Sequence, residues 1–479
     1  MRIVAALLVA LSLLGSVTAE ADSGRPNEAG PLQLKEVVDA ALRAFPGLLA
    51  TEQRKAVAEG ERLAAEGGFD TTLKAQSRWS IAGLYENRNY DVSIEQPTGL
   101  WGTTFFGGWR RGTGDYPVYE GKSLTATDGE ARLGVNIPLW RNGPIDRRRA
   151  MLQQAELGEG IAGQDVQSSM IEVRRLATHR YWDWVLAGER LRIARSLLDV
   201  AEGRDAGLRE RAASGDIPDF EVLDNQRAIL ERRERTVAAQ RLLEQTAIAL
   251  SLYYRDAEGQ PRLPDLSRQP AAVPLPIEAQ PRPFDGLLAL ARARRPELQR
   301  LELQRRQTET ELELQKNQQA PGIDVTLMGA QDFGNSKSKP NREELYAGLN
   351  IDIPLQRRVA TGRAQVARAN LQRLGHELRL AEDRIAAEVR DAQSSLAAAR
   401  QRMELAARQR KAAEQLEDGE RTRFELGDST LLVVNLREMA KGDAALLQAD
   451  SAIALHKAQA DLDAALGGME EIDVAAPGI

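Results

Sequence analysis

The side chains that could carry chemistry are few and far apart in this sequence. The three histidines, His179, His376 and His456, all lie in predicted helices, and there is no cysteine. No His-x-x-His spacing occurs, so neither a zinc site nor thiol chemistry is predicted. Isolated histidines of this kind more often lie on a solvated face or between helices. We therefore expect no metal and no cofactor.

The glycine-rich stretch near residue 100 does not predict a nucleotide site. Gly99, Gly102, Gly107 and Gly108 are not followed by Lys-Ser or Lys-Thr at a helix start, as a phosphate loop requires. Carboxylates are abundant, with 70 Asp and Glu residues, but pairing them as acid and base without a pocket-forming fold would be arbitrary. The sequence therefore predicts that the protein is not an enzyme.

The charge balance also excludes a class of partner. The formal net charge is −6, with 64 basic and 70 acidic residues interspersed along the chain. There is no basic stripe with interleaved aromatic residues, so binding to nucleic acid is not predicted.

The first residues predict export. Arg2 precedes an apolar run over residues 3–14, and small residues follow up to Ala19. This pattern is typical of a secretory signal peptide cleaved after Ala19. The alternative is a buried N-terminal helix, but no amphipathic period interrupts the run. Without cysteine, the exported chain has neither disulfides nor a lipid-bearing N-terminal cysteine. No later stretch approaches 18 consecutive apolar residues, so entry into a membrane would require strands.

The elements that must position the side chains occur twice, at residues 34–252 and 285–466. Each copy has a short helix containing a proline, two alternating strands and two long helices around a Gly-Asp turn. Recurring landmarks in the same order predict a duplicated architecture. They are Pro46 and Pro296, Phe69-Asp70 and Ile323-Asp324, Pro138 and Pro354, and Gly215-Asp216 and Gly427-Asp428.

The long helices have the period of coiled coils. Trp184, Leu191 and Leu198 step by sevens in the first copy, and Ile385 and Ala392 do so in the second. A 3.5-residue repeat keeps one seam facing a partner helix. Helices of about 65 residues would reach roughly 100 Å, too long to bury in a compact monomer. They predict a bundle or wall completed by other subunits; an elongated spacer that conducts nothing is the alternative.

The predicted strands alternate between apolar and polar residues. In the last of them, Leu349 and Ile351 oppose Asn350 and Asp352. Such segments suit a membrane barrel with a wet lumen, although a half-buried sheet alternates in the same way. Four strands are too few to close into a barrel, and the open edges of an unclosed sheet in lipid would leave backbone groups unpaired. Three copies would supply about twelve strands, which predicts a trimer.

Residues 86–129 form an aromatic, glycine-rich segment between the first two strands. Residues 90–95 and 101–109 could form an extra hairpin. The counterpart in the second copy, residues 334–344, is short and polar. We therefore favour an external loop.

The duplicated order resembles the TolC-like outer-membrane efflux protein family over residues 32–467. The resemblance rests on the strand ends Asn136-Ile137-Pro138-Leu139 and Ile353-Pro354-Leu355, and on Arg423-Phe424-Glu425-Leu426-Gly427-Asp428 with Val434 following. It implies a homotrimeric channel, with a strand barrel in the outer membrane and a helical tunnel through the periplasm. Such channels dock to a periplasmic adaptor protein and an inner-membrane pump, in an efflux or type I secretion path.

The same resemblance assigns the two Gly-Asp turns to the periplasmic tips, which meet the adaptor and narrow the entrance. Three copies of Asp216 and Asp428 would form a carboxylate ring that favours cations. Alternatively, each aspartate caps the next helix, and this is preferred for each residue taken singly. The predicted tip residues are Arg211, Gly215, Asp216, Arg423, Gly427 and Asp428, and the predicted strand-to-helix junctions are Pro138 and Pro354.

Two features depart from much of that family. The missing lipid-bearing cysteine leaves anchoring in outer-membrane lipid to the barrel alone. The long 86–129 segment alters the expected extracellular geometry.

The predicted fold is mainly α with a membrane β-barrel: an internally duplicated, coiled-coil-like α-helical barrel continued by a barrel of about twelve strands, four from each of three protomers. The predicted function is the exit duct of a tripartite system for small molecules or polypeptides. A non-conducting periplasmic adaptor or scaffold is the alternative. The predicted divisions are 1–19 signal peptide, 20–31 extension, 32–252 first repeat (strands within 70–140, helices 144–212 and 218–252), 253–283 Pro-rich linker, 284–466 second repeat (strands within 323–355, helices 362–425 and 430–466) and 467–479 tail.

Overall fold

The computed structural model describes residues 30–118, 123–274, 282–335 and 343–468. The predicted signal peptide and most of the C-terminal tail lie outside these residues. The helices are α1 Leu34–Ala44, α2 Pro46–Glu66, α3 Arg147–Ala213, α4 Asp219–Ser251, α5 Phe284–Arg294, α6 Pro296–Asn317, α7 Arg358–Glu425 and α8 Leu431–Ala465. The strands are β1 Thr72–Ser80, β2 Asn87–Pro97, β3 Thr104–Gly114, β4 Gly129–Pro138, β5 Gly322–Phe333 and β6 Glu343–Asp352.

The element order is duplicated, and the predicted mainly α fold class with a strand sheet is confirmed. In each copy the short helical segment is broken in two at its proline. Pro46 and Pro296 each stand at the first position of the second helix, after an extended residue with ψ 119°. Proline suits that position because its fixed φ is helical and its missing N–H has no partner there in any case.

The two long helices run away from the sheet. Helix α3 has 67 residues and α7 has 68, so each spans about 100 Å. Within each repeat the long helix packs along its returning partner, α4 or α8, and α3 also contacts α2, α6 and α8. The buried seam is apolar and rich in alanine, which lets the helices approach closely; it includes Val173, Ala177, Ala187, Leu191, Ala201 and Leu208 on α3, and Ile385, Val389, Ala392, Leu396, Ala399 and Ala406 on α7.

The largest cluster of buried apolar side chains lies midway along α3. Trp184 is fully buried there, beside Tyr181, Trp182 and Leu250. Helix α1 and the end of α4 cover this part of α3. A second cluster joins α5, α7 and α8 in the other repeat. Each repeat thus contributes its own apolar cluster to one continuous helical body.

Over the described residues the sheet has six strands, in the order β1-β2-β3-β4-β5-β6, and every neighbouring pair is antiparallel. The prediction of four strands per protomer is therefore wrong, and the preference for an external loop is wrong for residues 87–97 and 104–114. Strands β2 and β3 form a hairpin between β1 and β4. Backbone pairing with both neighbours satisfies the N–H and C=O groups of this segment, which a loop would leave to solvent.

The inserted hairpin keeps the alternation of the sheet. Val92 stands opposite Trp109, and Trp109 stands opposite Ala131 on the next strand, all on one face. The neighbouring positions, such as Asp91 and Arg132, lie on the other face because successive side chains of a strand point to opposite sides. One face is thus predominantly apolar across all six strands, with Arg88 and Arg111 as exceptions toward the ends of β2 and β3.

The sheet is open: among the described residues, β1 and β6 each have a single strand neighbour. None of the described helices combines the length and hydrophobicity needed to cross a membrane.

Candidate functional site

The polar face of the sheet carries a row of ion pairs. Arg132 binds Asp91 across two strands at 2.6 Å, and Arg110 binds the buried Glu130 at 2.7 Å. Lys74 and Glu95 pair at 2.5 Å on β1 and β2. Opposite charges on facing strands stabilise the register as well as the pairing. Asp91, Glu95 and Arg110 belong to the inserted hairpin, so sequence reasoning missed this network.

The opposite face is apolar and exposed in the single chain. Trp79 is 58% exposed, Leu133 71% and Leu349 63%. A contiguous apolar surface this exposed marks contact with lipid or protein. The sheet therefore separates an apolar surface from a charged, hydrated one.

The predicted junction residues lie where the strands meet the helices. Pro138 is the last residue of β4 and stands opposite Asp324, and Pro354 follows the end of β6. Proline has no N–H to donate, so it suits a strand end. After Pro138 the chain turns at Asn142, with φ +67°, and Asp146 caps α3 by accepting the Arg149 N–H at 2.9 Å.

The two predicted tips have the same backbone geometry. Gly215 and Gly427 adopt left-handed φ values of +81° and +83°. The Asp216 N–H donates to the Arg211 carbonyl at 2.9 Å, and the Asp428 N–H donates to the Arg423 carbonyl at 2.8 Å. Glycine suits this helix ending because it has no Cβ to crowd the left-handed conformation. The structure thus brings each predicted arginine, glycine and aspartate together in one turn.

The preference for helix-capping aspartates at the tips is wrong. The residues that cap α4 and α8 are Pro218 and Thr430, and neither helix start receives a side-chain hydrogen bond. Asp216 and Asp428 precede these positions by two residues, too early to reach the first helical N–H groups, and both are exposed. Their carboxylates face solvent at the end of the molecule.

A buried polar cluster near the tips was not predicted. The Arg204 guanidinium on α3 donates to both Glu438 carboxylate oxygens on α8, at 2.8 and 3.0 Å. Arg232 on α4 donates to the same carboxylate at 2.7 Å, and Asn225 accepts from Arg204 at 3.0 Å. Asn225 is 0% exposed and Arg232 and Glu438 are 3% exposed. The cluster joins the first repeat to the second.

A sequence signal for this cluster existed. On α4, Val222, Asn225, Ile229 and Arg232 follow the three-four spacing of a buried seam. Polar residues at such positions commonly fix the pairing partner and register of helices.

Several further contacts between α3 and α8 are also ionic. Arg175 and His179 contact Asp461 at 3.2 and 2.9 Å, and Arg190 contacts Asp450 at 2.9 Å. Burial alone would raise the pKa of Asp461, but the hydrogen bonds and charges of His179 and Arg175 outweigh it and hold that pKa below the ordinary value. Charged groups thus contribute to the contact between the repeats, beside apolar contacts such as that of Ile453 with the cluster around Trp184.

The three histidines lie in different surroundings. His179 contacts Asp461, and His376 is exposed on α7. The His456 ring stacks on Trp182 with centroids 3.8 Å apart, and its Nε2 lies 2.6 Å from the Pro274 carbonyl oxygen. Burial lowers the pKa of His456. In the described ranges, no three or more His, Asp and Glu side chains are grouped to hold a metal ion.

No protein-family model and no curated protein matches the sequence. Solved structures with a similar fold include the open state of the MtrE outer membrane channel of Neisseria gonorrhoeae, with a TM-score of 0.66, 16% identity, and 91% of this chain and 89% of that chain covered. For the outer-membrane channel OprN the TM-score is 0.64 and the sequence identity 16%, and the match covers 91% of this chain and 90% of that chain. For the Campylobacter jejuni CmeC outer membrane channel the TM-score is 0.64 and the sequence identity 12%, and the match covers 97% of this chain and 94% of that chain.

These matches cover 91% or more of this chain and 89% or more of the others. The resemblance of the sequence to the TolC-like outer-membrane efflux proteins is thus confirmed at the level of the fold: this chain has the fold of the outer-membrane channels.

Proposed function

We propose that the protein is a homotrimeric channel of the outer membrane and forms the exit duct of a tripartite efflux or type I secretion system. The observation that carries this proposal is the two-sided sheet. Its apolar face is exposed on all six strands, and its other face holds ion pairs such as Arg132 with Asp91. A membrane barrel with a water-filled lumen needs this division.

Closure of the sheet requires other copies. Unpaired backbone groups on β1 and β6 would be costly in lipid, so β6 of one protomer pairs with β1 of the next. Three protomers of six strands give 3 × 6 = 18 strands, in place of the twelve expected from the sequence. Barrels of about this size leave an aqueous channel.

The helices also present an uncovered seam. On α4, Leu223, Leu230 and Val237 recur at seven-residue spacing and are 66%, 66% and 69% exposed. On α7, Leu405 and Leu416 are 56% and 54% exposed. Apolar side chains at heptad spacing favour a facing helix. In the proposed trimer, α4 of one protomer lies beside α7 of its neighbour, and the helices enclose a tunnel.

The proposal includes the location and partners. The signal peptide over residues 1–19 directs export, and outer-membrane lipid surrounds the apolar face of the sheet. The exposed turns at Gly215-Asp216 and Gly427-Asp428 lie at the periplasmic end and contact an adaptor protein linked to an inner-membrane pump. Co-purification with the adaptor and pump encoded by neighbouring genes tests these contacts. Loss of both partners when the two turns are deleted is the expected result, and retention would contradict it.

The membrane assignment is tested by labelling adjacent positions. The chain has no cysteine, so single cysteines can be placed without background. Leu349→Cys lies on the apolar face and Asn350→Cys on the polar face. In proteoliposomes, a water-soluble maleimide should label position 350 and leave position 349 unlabelled. Equal labelling of the two would contradict a lipid-facing surface.

The assembly is tested separately. A trimer that needs detergent and dissociates on heating supports the channel, as do single-channel currents in planar bilayers. A detergent-free soluble monomer would instead support the non-conducting periplasmic scaffold.

A further inference from the structure

A cleft of about 780 Å³ lies where the strands meet the long helices. Its walls are the first turns of α3 and α7 and the last turns of α6. Pro354, which lines it, follows two residues after Asp352, the last polar-face residue of β6, and we infer that the cleft opens on the polar side of the sheet. The proposed function places this side on the water column.

The charged lining of this cleft is strongly one-sided. Four guanidinium groups line it, from Arg147, Arg357, Arg358 and Arg363, against a single carboxylate, that of Glu311. The sum of four positive charges and one negative charge is +3. The Glu311 carboxylate already accepts from the Gln154 and Gln315 side-chain amides, at 3.1 and 2.9 Å. Both oxygens of this carboxylate are therefore already hydrogen-bonded to side chains of the cleft wall.

The arginines of the cleft have no acidic partner among the described residues. The Arg357 side chain donates one hydrogen bond within the described residues, from its Nε to the Pro354 carbonyl at 3.2 Å. By contrast, two nearby arginines outside the cleft are paired: Arg141 binds Asp352 at 2.5 Å and Arg149 binds Asp146 at 2.9 Å. The four guanidinium groups of the cleft are thus gathered around one opening without a neutralising carboxylate of their own.

The start of α7 strengthens the positive potential. Arg357, which precedes the first turn, has φ +52° and makes no side-chain cap, and the first turn contains no acidic residue. A helix N-terminus is itself positive and ordinarily attracts acidic side chains. Arginine at both Arg357 and Arg358 contradicts that preference, whereas the start of α3, which carries Arg147, is capped by the acidic Asp146. Local rules broken in this way are expected at functional sites.

We propose that this cleft binds an oxyanion, one per protomer, with phosphate as the group that it fits. Guanidinium groups match the geometry of phosphate oxygens, and the uncapped backbone N–H groups of α7 supply further donors. Three such clefts form a cationic collar below the barrel of the proposed channel. The collar concentrates anionic solutes at this level, so the transported class includes molecules that carry phosphate or carboxylate groups.

The first test uses binding and does not depend on conduction. Inorganic phosphate should raise the Tm of the purified protein in zwitterionic detergent, because a ligand of the folded state stabilises it. The double variant Arg358→Gln/Arg363→Gln should lose this rise. Arg373→Gln should keep it, since Arg373 lies on the same helix but is paired with Glu377 at 2.7 Å. Equal phosphate responses in the double variant and the wild type would overturn the site.

The second test measures selectivity in phosphatidylcholine bilayers. The anion-to-cation permeability ratio should fall roughly twofold or more in the double variant, because a cleft of one sign concentrates counter-ions severalfold. An unchanged ratio would overturn the collar. Absence of current from the wild type would instead contradict the proposed channel and leave the phosphate-dependent Tm to decide the site. If phosphatidylglycerol raises the Tm and free phosphate does not, a lipid headgroup is the source and a solute-binding collar is overturned.

Discussion

Arg204 on α3 and Glu438 on α8 form a bidentate ion pair, at 2.8 and 3.0 Å, with side chains 19% and 4% exposed. Arg232 shares the same carboxylate. The Glu438 carboxylate, which belongs to the second repeat, is therefore the common partner of two arginines from the first repeat. It links three helices close to the tips.

The first prediction concerns Glu438→Gln. Loss of the charge leaves two arginines buried without compensation, so the free energy of unfolding should fall by about 3–5 kcal/mol. Thermal or denaturant unfolding followed by circular dichroism measures this change. Glu404→Gln is the control, because Glu404 pairs with Arg408 on an exposed surface and should cost only about 0–1 kcal/mol. Equal effects of the two substitutions would contradict a structural role for the cluster.

The second prediction concerns the entrance. If the carboxylates at the tips form a ring, Asp428→Ala should raise single-channel conductance and lower cation selectivity, because it removes three negative charges from the narrowest zone. Planar-bilayer recordings measure both quantities. Asp418→Ala is the control and should change neither, because Asp418 is also exposed but lies on α7, ten residues earlier in the chain. Unchanged conductance in the Asp428 variant would remove that residue from the constriction.

The third prediction concerns the tip backbone. Gly427→Ala should destabilise the turn by about 1–2 kcal/mol, because a Cβ is unfavourable at φ +83° although no atom lies within 4 Å of it. Gly419→Ala, inside α7, has equal space but helical φ, so it should stabilise by up to about 1 kcal/mol. Hydrogen exchange of the ends of α7 and α8 distinguishes the two. Slower exchange in the Gly427 variant would be the contrary result.

The fourth prediction is a pH dependence of the contact between repeats. The pKa of Asp461 lies below its ordinary value of 3.8, so its ion pairs stabilise the fold fully above that value. This stability should be lost as the pH falls through the lowered folded-state pKa. Asp461→Asn should flatten the acid limb of a Tm-against-pH curve and lower Tm at neutral pH. A curve parallel to that of the wild type would contradict the assignment.

The fifth prediction concerns His456. Its pKa is lowered by burial, so the folded state holds the neutral ring and loses stability as the pH falls below the ordinary value of 6.5. Protonation should also change the fluorescence of Trp182, which stacks on the ring. His456→Gln should remove this pH-dependent fluorescence change between pH 7 and pH 5, about the range in which histidine titrates. His376→Gln, on an exposed site, should leave it intact.

The long helices were predictable because their signal is repeated many times. The observed ends of α3, α4, α7 and α8 lie within four residues of the expected 144–212, 218–252, 362–425 and 430–466. A seven-residue period sustained over dozens of residues outweighs local exceptions such as Asp205. The glycine turns were predictable because the left-handed conformation restricts the residue type.

The inserted hairpin was not predictable from its own pattern. Gly107 and Gly108 on β3 leave gaps in the alternation, and Arg110 with Arg111 places like charges on opposite faces. Glycine carries no information about which face is buried, so the period of two is hidden. Pairing with β1 and β4 decides the conformation, and such distant contacts are invisible in a single sequence.

The β2–β3 hairpin enters between β1 and β4 without reversing the direction of any other strand. An antiparallel sheet keeps the directions of its edge strands only when strands are added or removed in pairs. A hairpin is therefore the smallest unit by which the circumference of the proposed barrel can grow. In the proposed trimer, each protomer can therefore widen the barrel by a local change of sequence, while the long helices and their junctions with the strands stay as they are.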